Sequence, residues 1–155
     1  MFLIETEKDL LNAFRPRDRK QVELPPDFRF PHVLRDYTAW SDPQGVRTFL
    51  VLMEPLSKRP MGIAFERDHG GGSKGSMCDW CHAFGSSNEI GMLTAEVSSK
   101  RRVGVHVCLD LRCAEKIEQA ANLAGRNARE LTRQAVERMV RFAHEALGIK
   151  SVPAA

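Results

Sequence analysis

The sequence lacks the features that would place the protein in a membrane or mark it for export. Its apolar runs fall far short of the ~20 residues that a helix needs to span a bilayer. The opening residues, Met-Phe-Leu-Ile-Glu-Thr-Glu, do not combine the basic and apolar regions of a secretory signal. We therefore expect a cytoplasmic protein whose thiols are kept reduced.

Recognisable catalytic motifs are also missing. The sequence has no HExxH motif, and no Ser/His/Asp set or pair of catalytic carboxylates stands out. The glycine-rich stretch 70–76 lacks the Gly-Lys-Ser or Gly-Lys-Thr ending of a phosphate-binding loop, so we expect it to be a mobile loop. These absences favour a protein that is not an enzyme.

The net charge is too small to indicate nucleic-acid binding, since it amounts to only +3 at pH 7. Its distribution along the chain is more informative. Residues 1–97 carry 12 Lys/Arg and 14 Asp/Glu, whereas residues 98–155 carry 11 and 6. The second part of the chain is therefore basic, which favours an acidic partner, either a protein or RNA.

What the sequence does contain is a complete set of metal ligands. Its four cysteines form two close pairs, Cys78-x2-Cys81 and Cys108-x4-Cys113, and none is left over. Four thiolates with such spacings are typical of a closed tetrahedral zinc site. A thioredoxin-type redox pair would not require the second pair, and disulfides are rare in a reducing cytosol. The spacing predicts a structural Zn²⁺ held by all four cysteines, with no open position for a catalytic water.

Two histidines and several cations lie next to these cysteines in the sequence. His82 or His106 could replace a cysteine, but because four cysteines are present we expect both histidines to lie outside the coordination shell. Four thiolates around Zn²⁺ give a centre with a net charge of about −2. Three nearby cations could offset this charge: Lys74, Arg112 and Lys116.

Residues 1–68 are predicted to form an N-terminal part that starts with a short helix. Residues 6–14 are predicted to form this helix, because Thr6 stands where a capping residue is expected and apolar residues follow it at helical spacing. Pro16 and the charged residues after it are expected to end this helix.

An ordered loop and a β-hairpin complete this N-terminal part. The stretch 24–45 is rich in proline but also in aromatic residues, so we expect an ordered loop with Tyr37 and Trp40 in the core. The β-rich runs 46–53 and 61–66 predict a hairpin with a well-buried strand.

Residues 76–120 are predicted to form the zinc region. The first cysteine pair is followed by β-rich runs at 90–97 and 103–107, which predict a second hairpin with its turn at 98–102. A helix is expected from about Leu111. This order, a cysteine knuckle, a hairpin and a second cysteine pair at a helix start, is that of a treble-clef zinc finger.

The clearest helix of the sequence is the last one, at 127–147. Its broad apolar stripe has helical spacing, and Gly148 follows it as an ending signal. We therefore predict a single α+β domain over 1–155, built of antiparallel hairpins, a four-cysteine treble-clef zinc finger and a long C-terminal helix.

Seven residues of the zinc region follow two spaced motifs, Met-Cys-x-x-Cys and Gly-x-x-x-Cys-x-Asp-x-x-Cys: Met77, Cys78, Cys81, Gly104, Cys108, Asp110 and Cys113. These motifs resemble those of the C-terminal treble-clef domain of the elongation factor G-binding proteins, the FusB-type family of fusidic acid resistance. Segments 40–43 and 59–63 resemble strand-flanking segments of the same domain. The resemblance covers about residues 5–120 and does not include the N-terminal helical bundle of the resistance proteins.

The resemblance implies a mixed α/β domain with an all-cysteine zinc finger and a non-catalytic role, namely binding elongation factor G and helping it leave the ribosome. We therefore expect a protein partner, elongation factor G or another ribosome-associated component, and neither a membrane nor a small-molecule substrate. An RNA- or ribosome-binding zinc module is the alternative.

The candidate partner contacts are basic residues of the second hairpin turn and of the helix after Cys113, on one rigid face, together with a knuckle tryptophan expected to protrude. A basic turn is also the ordinary solvated surface of a hairpin. The candidates are Lys100, Arg101, Arg102, Arg112, Lys116 and Trp80.

Overall fold

A five-stranded antiparallel sheet organises residues 2–68 and 75–150, which are the residues that the computed structural model describes. The elements in chain order are β1 (Phe2–Ile4), α1 (Glu7–Asn12), α2 (Pro16–Arg19), β2 (His32–Leu34), β3 (Tyr37–Ser41), β4 (Arg47–Glu54), β5 (Arg59–Arg67), β6 (Ser76–Met77), β7 (Phe84–Gly85), β8 (Ile90–Ser98), β9 (Arg101–Cys108), α3 (Cys113–Ala124) and α4 (Ala128–Arg141). The sheet has the order β3-β4-β5-β8-β9, and β1-β2 and β6-β7 form two small two-stranded sheets.

Both predicted hairpins are confirmed. Strands β4 and β5 pair from Arg47↔Glu66 to Glu54↔Arg59, and β8 pairs with β9 along its length. The turn of the second hairpin is shorter than predicted, since Arg101 and Arg102 lie in β9. Strand pairing extends further because Ser98 and Glu96 of β8 pair with Arg101 and Arg102. The expected mobile loop at 70–76 and Lys74 lie largely or wholly outside the described residues.

The N-terminal helix is confirmed, with one change at its end. The Thr6 hydroxyl accepts a hydrogen bond from the Asp9 amide at 3.2 Å and so caps α1. Pro16 does not merely follow this helix, because it is the first residue of α2. A proline fits there since the first residues of a helix have no intrahelical partner for their N–H groups, and its fixed φ suits the helix.

The stretch 24–45 contains two strands that the sequence analysis did not predict. Strand β2 pairs with β1, and β3 forms the edge of the main sheet beside β4. Prolines and the single glycine concealed this β structure by interrupting the runs on either side. The predicted core position of Trp40 is confirmed, since it is 8% exposed, and its ring packs on Phe28 and Phe49.

The main sheet buries a separate apolar cluster on each face, because successive side chains of a strand point in opposite directions. Leu50 and Leu52 of β4 face the first cluster, which also contains three of the cysteines and the C-terminal helix. Phe49 and Val51 of the same strand face the second cluster, which contains residues of β1, α1 and β2. Strand β4 is thus buried on both faces.

The C-terminal helix is confirmed over most of its predicted length. Asn127 caps α4 by accepting hydrogen bonds from the amides of Arg129 and Glu130. After Arg141 the helix widens into a π-helical turn, Phe142–Ala146, and Gly148 follows with a φ of +69°. The apolar stripe of the helix packs on the first core through Met139, Val140, Ala143 and Leu147.

Among the helices of residues 2–68 and 75–150, none combines the length and the apolar character needed to cross a membrane.

Candidate metal centre

The four cysteines come together at one point, where β9 meets the knuckle and the start of α3. Their sulfur atoms all lie within 4.8 Å of one another, and the four thiols are not in disulfide bonds. The Sγ atoms of Cys78 and Cys113 are 3.8 Å apart, and those of Cys81 and Cys108 are 3.6 Å apart. A tetrahedral site with zinc–sulfur bonds of about 2.3 Å has sulfur–sulfur distances of about 3.8 Å. The cluster therefore has the donors and the spacing of a metal site.

The first pair is held by a tight knuckle closed by the small β6–β7 sheet. The Cys78 amide donates to the Ala83 carbonyl, and the His82 amide donates to the Cys78 carbonyl, both at 2.9 Å. The amides of Trp80 and Cys81 point to the Cys78 sulfur at 3.4 Å, which stabilises a thiolate there. His82 has a φ of +64°, the left-handed conformation that turns the chain back after Cys81.

The second pair joins a strand to a helix. Cys108 is the last residue of β9, and Cys113 is the first residue of α3, where the helix N-terminus favours a negative thiolate. Leu111 lies between them with a φ of +55°. The Asp110 carboxylate accepts a hydrogen bond from the Arg112 amide at 3.0 Å, which orders this turn.

Two residues of the distant N-terminal part fix this turn onto the sheet. The Tyr37 hydroxyl donates to the Leu111 carbonyl at 2.5 Å and accepts from the Ala114 amide at 3.0 Å. The Thr48 hydroxyl donates to the Leu109 carbonyl at 3.1 Å. Sequence reasoning assigned Tyr37 to the core and did not connect it with the metal centre. No local signal could have done so, because Tyr37 is separated from its partners by more than 70 residues along the chain.

The four thiols differ in how readily they lose a proton. Contacts with Cys108 and Cys113 lower the pKa values of Cys78 and Cys81 and favour their thiolates. A contact with Cys113 lowers the pKa of Cys108, but contacts with Cys78 and Cys81, together with burial, raise that pKa more. Contacts with the other three sulfurs, and burial, raise the pKa of Cys113. A divalent ion bound here would displace the protons that the thiols still carry.

Lys116 is the cation that contacts the sulfur cluster. Its ammonium donates to the Cys108 sulfur at 3.2 Å. Burial lowers the pKa of Lys116, but the hydrogen bond to Cys108 and the charges of the sulfur cluster and Asp110 raise it more, so the ammonium stays charged. This contact agrees with the expected charge compensation by Lys116. Arg112 is exposed at the start of α3.

The two neighbouring histidines do not belong to the sulfur cluster. Among the described residues, the grouped ligands are the four cysteines alone. His106 Nε2 is hydrogen-bonded to the Ser76 hydroxyl at 2.5 Å, which links β9 to the start of the knuckle. His82 is exposed to solvent.

The expectation that Trp80 protrudes from the knuckle is wrong. Trp80 is only 3% exposed, and its ring packs edge-on against the rings of Phe65 and Phe142. The distances between ring centroids are 6.1 Å to Phe65 and 6.0 Å to Phe142. Its carbonyl accepts a hydrogen bond from the Arg138 guanidinium at 2.7 Å. Burial of a large apolar ring outweighs the tendency of a short knuckle to expose its side chains, so Trp80 anchors the C-terminal helix and is not available to a partner.

The expected single basic face is also wrong. Lys100 and Arg101 lie at the start of β9, whereas Arg112 and Lys116 lie beyond its other end. Each residue of a strand adds ~3.3 Å, so the length of β9 separates these groups by about 23 Å. Arg102 is engaged with carboxylates of neighbouring strands, at 3.1 Å from Glu66 and 3.6 Å from Glu96. Lys100 and Arg101 remain exposed at the hairpin turn.

A cysteine knuckle, a hairpin and a second cysteine pair that opens a helix define a treble-clef zinc-finger protein. The chain matches the family described as "FBP C-terminal treble-clef zinc-finger" over residues 6–148 and belongs to that family. The match extends beyond the expected residues 5–120 and includes the whole of α4.

Two further comparisons add little to this assignment. The chain is similar to a solved structure titled "Structure of the fusidic acid resistance protein FusC", with 16% sequence identity and a TM-score of 0.49. The similarity covers 76% of this chain and 56% of that one, so the chain spans little more than half the length of that protein. No curated protein matches this chain at a significant level.

Proposed function

We propose that this chain is a non-catalytic adaptor, stabilised by zinc, that binds a component of the translation machinery, namely elongation factor G on or near the ribosome. The observation that carries the proposal is membership of the FBP treble-clef family over residues 6–148. It agrees with the resemblance of the cysteine motifs to those of the elongation factor G-binding proteins. The proposal places the protein in the cytoplasm, where its partner is found and its thiols stay reduced.

Zn²⁺ is the ion that we propose for the cysteine cluster. Four sulfur donors with tetrahedral spacing are typical of structural zinc, and harder cations such as Mg²⁺ and Ca²⁺ prefer oxygen. When bound, the ion would link the knuckle to the start of α3 and supply no catalytic chemistry, because four sulfurs leave no position for a water molecule. The full set of thiolates is thus the reason for proposing a protein that is not an enzyme.

The binding experiment measures the affinity of the zinc-loaded protein for purified elongation factor G by calorimetry at several salt concentrations. The first variant, Lys100→Glu/Arg101→Glu, reverses the exposed charges of the second hairpin turn but leaves Arg102 in its ion pairs. We expect affinity to fall by about tenfold and its salt dependence to become shallower if this turn faces the partner.

The matched control is Lys8→Glu/Lys20→Glu, which makes the same change in net charge at exposed positions of the N-terminal part. Equal affinities for the two variants would show that the hairpin turn is not the contact. No binding of elongation factor G by the unaltered zinc-loaded protein would refute the proposed function. Tight binding of naked RNA with a steep salt dependence would favour the RNA-binding alternative instead.

A further inference from the structure

A groove of about 300 Å³ lies beside the metal centre, between the knuckle, α3 and α4. Cys81 and Ala83 of the knuckle form one wall, and Ile117 of α3 and Leu131 of α4 contribute apolar surface. Three cations also line it, and none of the described lining residues carries a carboxylate: Lys116, Arg126 and Arg138. The groove therefore offers positive charge next to a small apolar surface.

The three cations are not equally available to a ligand. The Lys116 ammonium is already engaged with the Cys108 sulfur. Arg138 donates one nitrogen to the Trp80 carbonyl, a neutral acceptor that positions the guanidinium without cancelling its charge. Arg126 is exposed where α3 connects to α4. Within residues 2–68 and 75–150 neither arginine forms an ion pair with a carboxylate, so two guanidinium groups retain their charge at the groove.

The lining favours a peptide over a nucleic acid. Proteins that bind single-stranded nucleic acids place several aromatic side chains where the bases stack, and the described lining of this groove has the imidazole of His82 but no phenylalanine, tyrosine or tryptophan. A volume of about 300 Å³ admits a few side chains and not a nucleic-acid duplex. Arginine guanidinium groups bind carboxylates through paired hydrogen bonds, and the apolar wall suits an aliphatic side chain next to them.

We propose that this groove is a docking site for an acidic segment of a protein partner. A carboxylate of the segment binds Arg126 and Arg138, and a neighbouring aliphatic side chain packs on Ile117 and Leu131. The site rests on the proposed adaptor function for its biological partner, but its chemistry can be tested without that partner. It is distinct from the hairpin turn, which lies at the opposite end of β9.

The test uses the zinc-loaded full chain and a fluorescent peptide of alternating aspartate and leucine with blocked ends, followed by fluorescence anisotropy. Arg126→Glu is expected to weaken peptide binding by at least about tenfold, and Arg126→Gln by less. The matched control, Arg129→Glu, makes the same charge change three residues away, on a residue that lines a different depression. This control is expected to bind as the unaltered protein does. A peptide with asparagine in place of aspartate is expected not to bind.

An equal loss of peptide affinity in Arg126→Glu and Arg129→Glu would contradict the proposed site, because it would reveal only a general effect of charge. Absence of peptide binding to the unaltered protein would contradict it as well. A third contradicting result would be that Arg126→Glu loses binding of oligouridylate but keeps binding of the peptide. Binding of elongation factor G to the unaltered protein is measured separately from peptide binding. Failure of the unaltered protein to bind the factor contradicts the adaptor function, whereas a peptide site that is insensitive to Arg126 contradicts only the groove.

Discussion

At the scale of single residues, the cysteine cluster shows how identical side chains acquire different properties. Cys78 receives amide hydrogen bonds within the knuckle, whereas Cys113 is buried at the start of α3 among the other sulfurs. The first environment favours a thiolate, and the second opposes a further negative charge unless a cation is present. Because the four sulfurs converge, a metal ion would relieve this repulsion and would hold the cluster together.

The unequal pKa values predict how metal affinity depends on pH. The pKa values of Cys108 and Cys113 are raised, so these thiols keep their protons near neutral pH until a metal displaces them. Each displaced proton makes the apparent affinity rise about tenfold per pH unit, so we expect the affinity to rise steeply as the pH increases. Competition with a chromogenic zinc chelator from pH 6 to pH 8 measures the slope. Affinity that does not change with pH would contradict this assignment of protons.

At the scale of elements, the N-terminal part is joined to the main sheet by a close contact between a ring and a glycine. Phe14 bridges to Gly62 of β5, and the Gly62 amide donates to the Ala13 carbonyl at 2.8 Å. A Cβ atom at position 62 would lie 2.7 Å from the Phe14 ring. The ring is held in turn by edge contacts with the rings of Trp40 and Phe49, and each of these ring centroids lies 6.3 Å from that of Phe14. Glycine is therefore required here by space.

Gly62→Ala is expected to destabilise the protein by roughly 1–3 kcal/mol, because the buried Phe14 ring cannot move away without disturbing its aromatic neighbours. The matched variant is Gly104→Ala in β9, where a Cβ would lie 2.5 Å from the Met92 sulfur. A methionine side chain is flexible and can shift, so this change is expected to cost less. Urea unfolding of both zinc-loaded variants measures the difference in free energy of unfolding. A larger loss of unfolding free energy in Gly104→Ala than in Gly62→Ala would contradict this explanation.

The C-terminal helix is held in place by contacts with the cysteine knuckle. Its residue Arg138 binds the Trp80 carbonyl within the knuckle, and Phe142 packs on the Trp80 ring. The knuckle therefore holds both the sulfur cluster and the last helix. The family match likewise continues to residue 148 and does not end after the second cysteine pair.

At the scale of the whole molecule, one sheet serves two cores, and the cysteines belong to only one of them. The first core contains Cys78, Cys108 and Cys113, whereas the second contains Phe14, Trp40, Phe49 and other residues without a thiol. Strand β4 contributes to both. Loss of the metal should therefore act mainly on one face of the sheet.

Removal of zinc by a strong chelator is expected to increase amide hydrogen exchange first at 76–85 and 108–116, which are linked through the cysteines. Amides of β4 are expected to keep more of their protection, because the second core holds that strand from the other face. Mass spectrometry of peptides measures the exchange before chelation, after it and after zinc is restored. A uniform loss of protection would instead show that the whole fold depends on the metal.

Features that depend on neighbours in sequence could be predicted from the sequence. The clustering of the four cysteines follows from the spacing of two pairs, the cap at Thr6 from a local capping pattern, and the two hairpins from runs of β-forming residues. Strands β2 and β3 were missed because prolines interrupt that stretch. Local periodicity cannot show that an interrupted segment finds a partner strand elsewhere in the chain.

The amino-acid sequence by itself determined the candidate metal ligands, the capped helices and the order of elements that makes a treble clef, since each depends on spacing over a few residues. Only the tertiary structure decided that Trp80 is buried, that Tyr37 binds the turn before α3, and that the basic residues lie at both ends of β9. These outcomes depend on contacts between residues far apart in the chain and on the length of the strand between them. The groove beside the metal centre arises in the same way, where the knuckle, α3 and α4 meet.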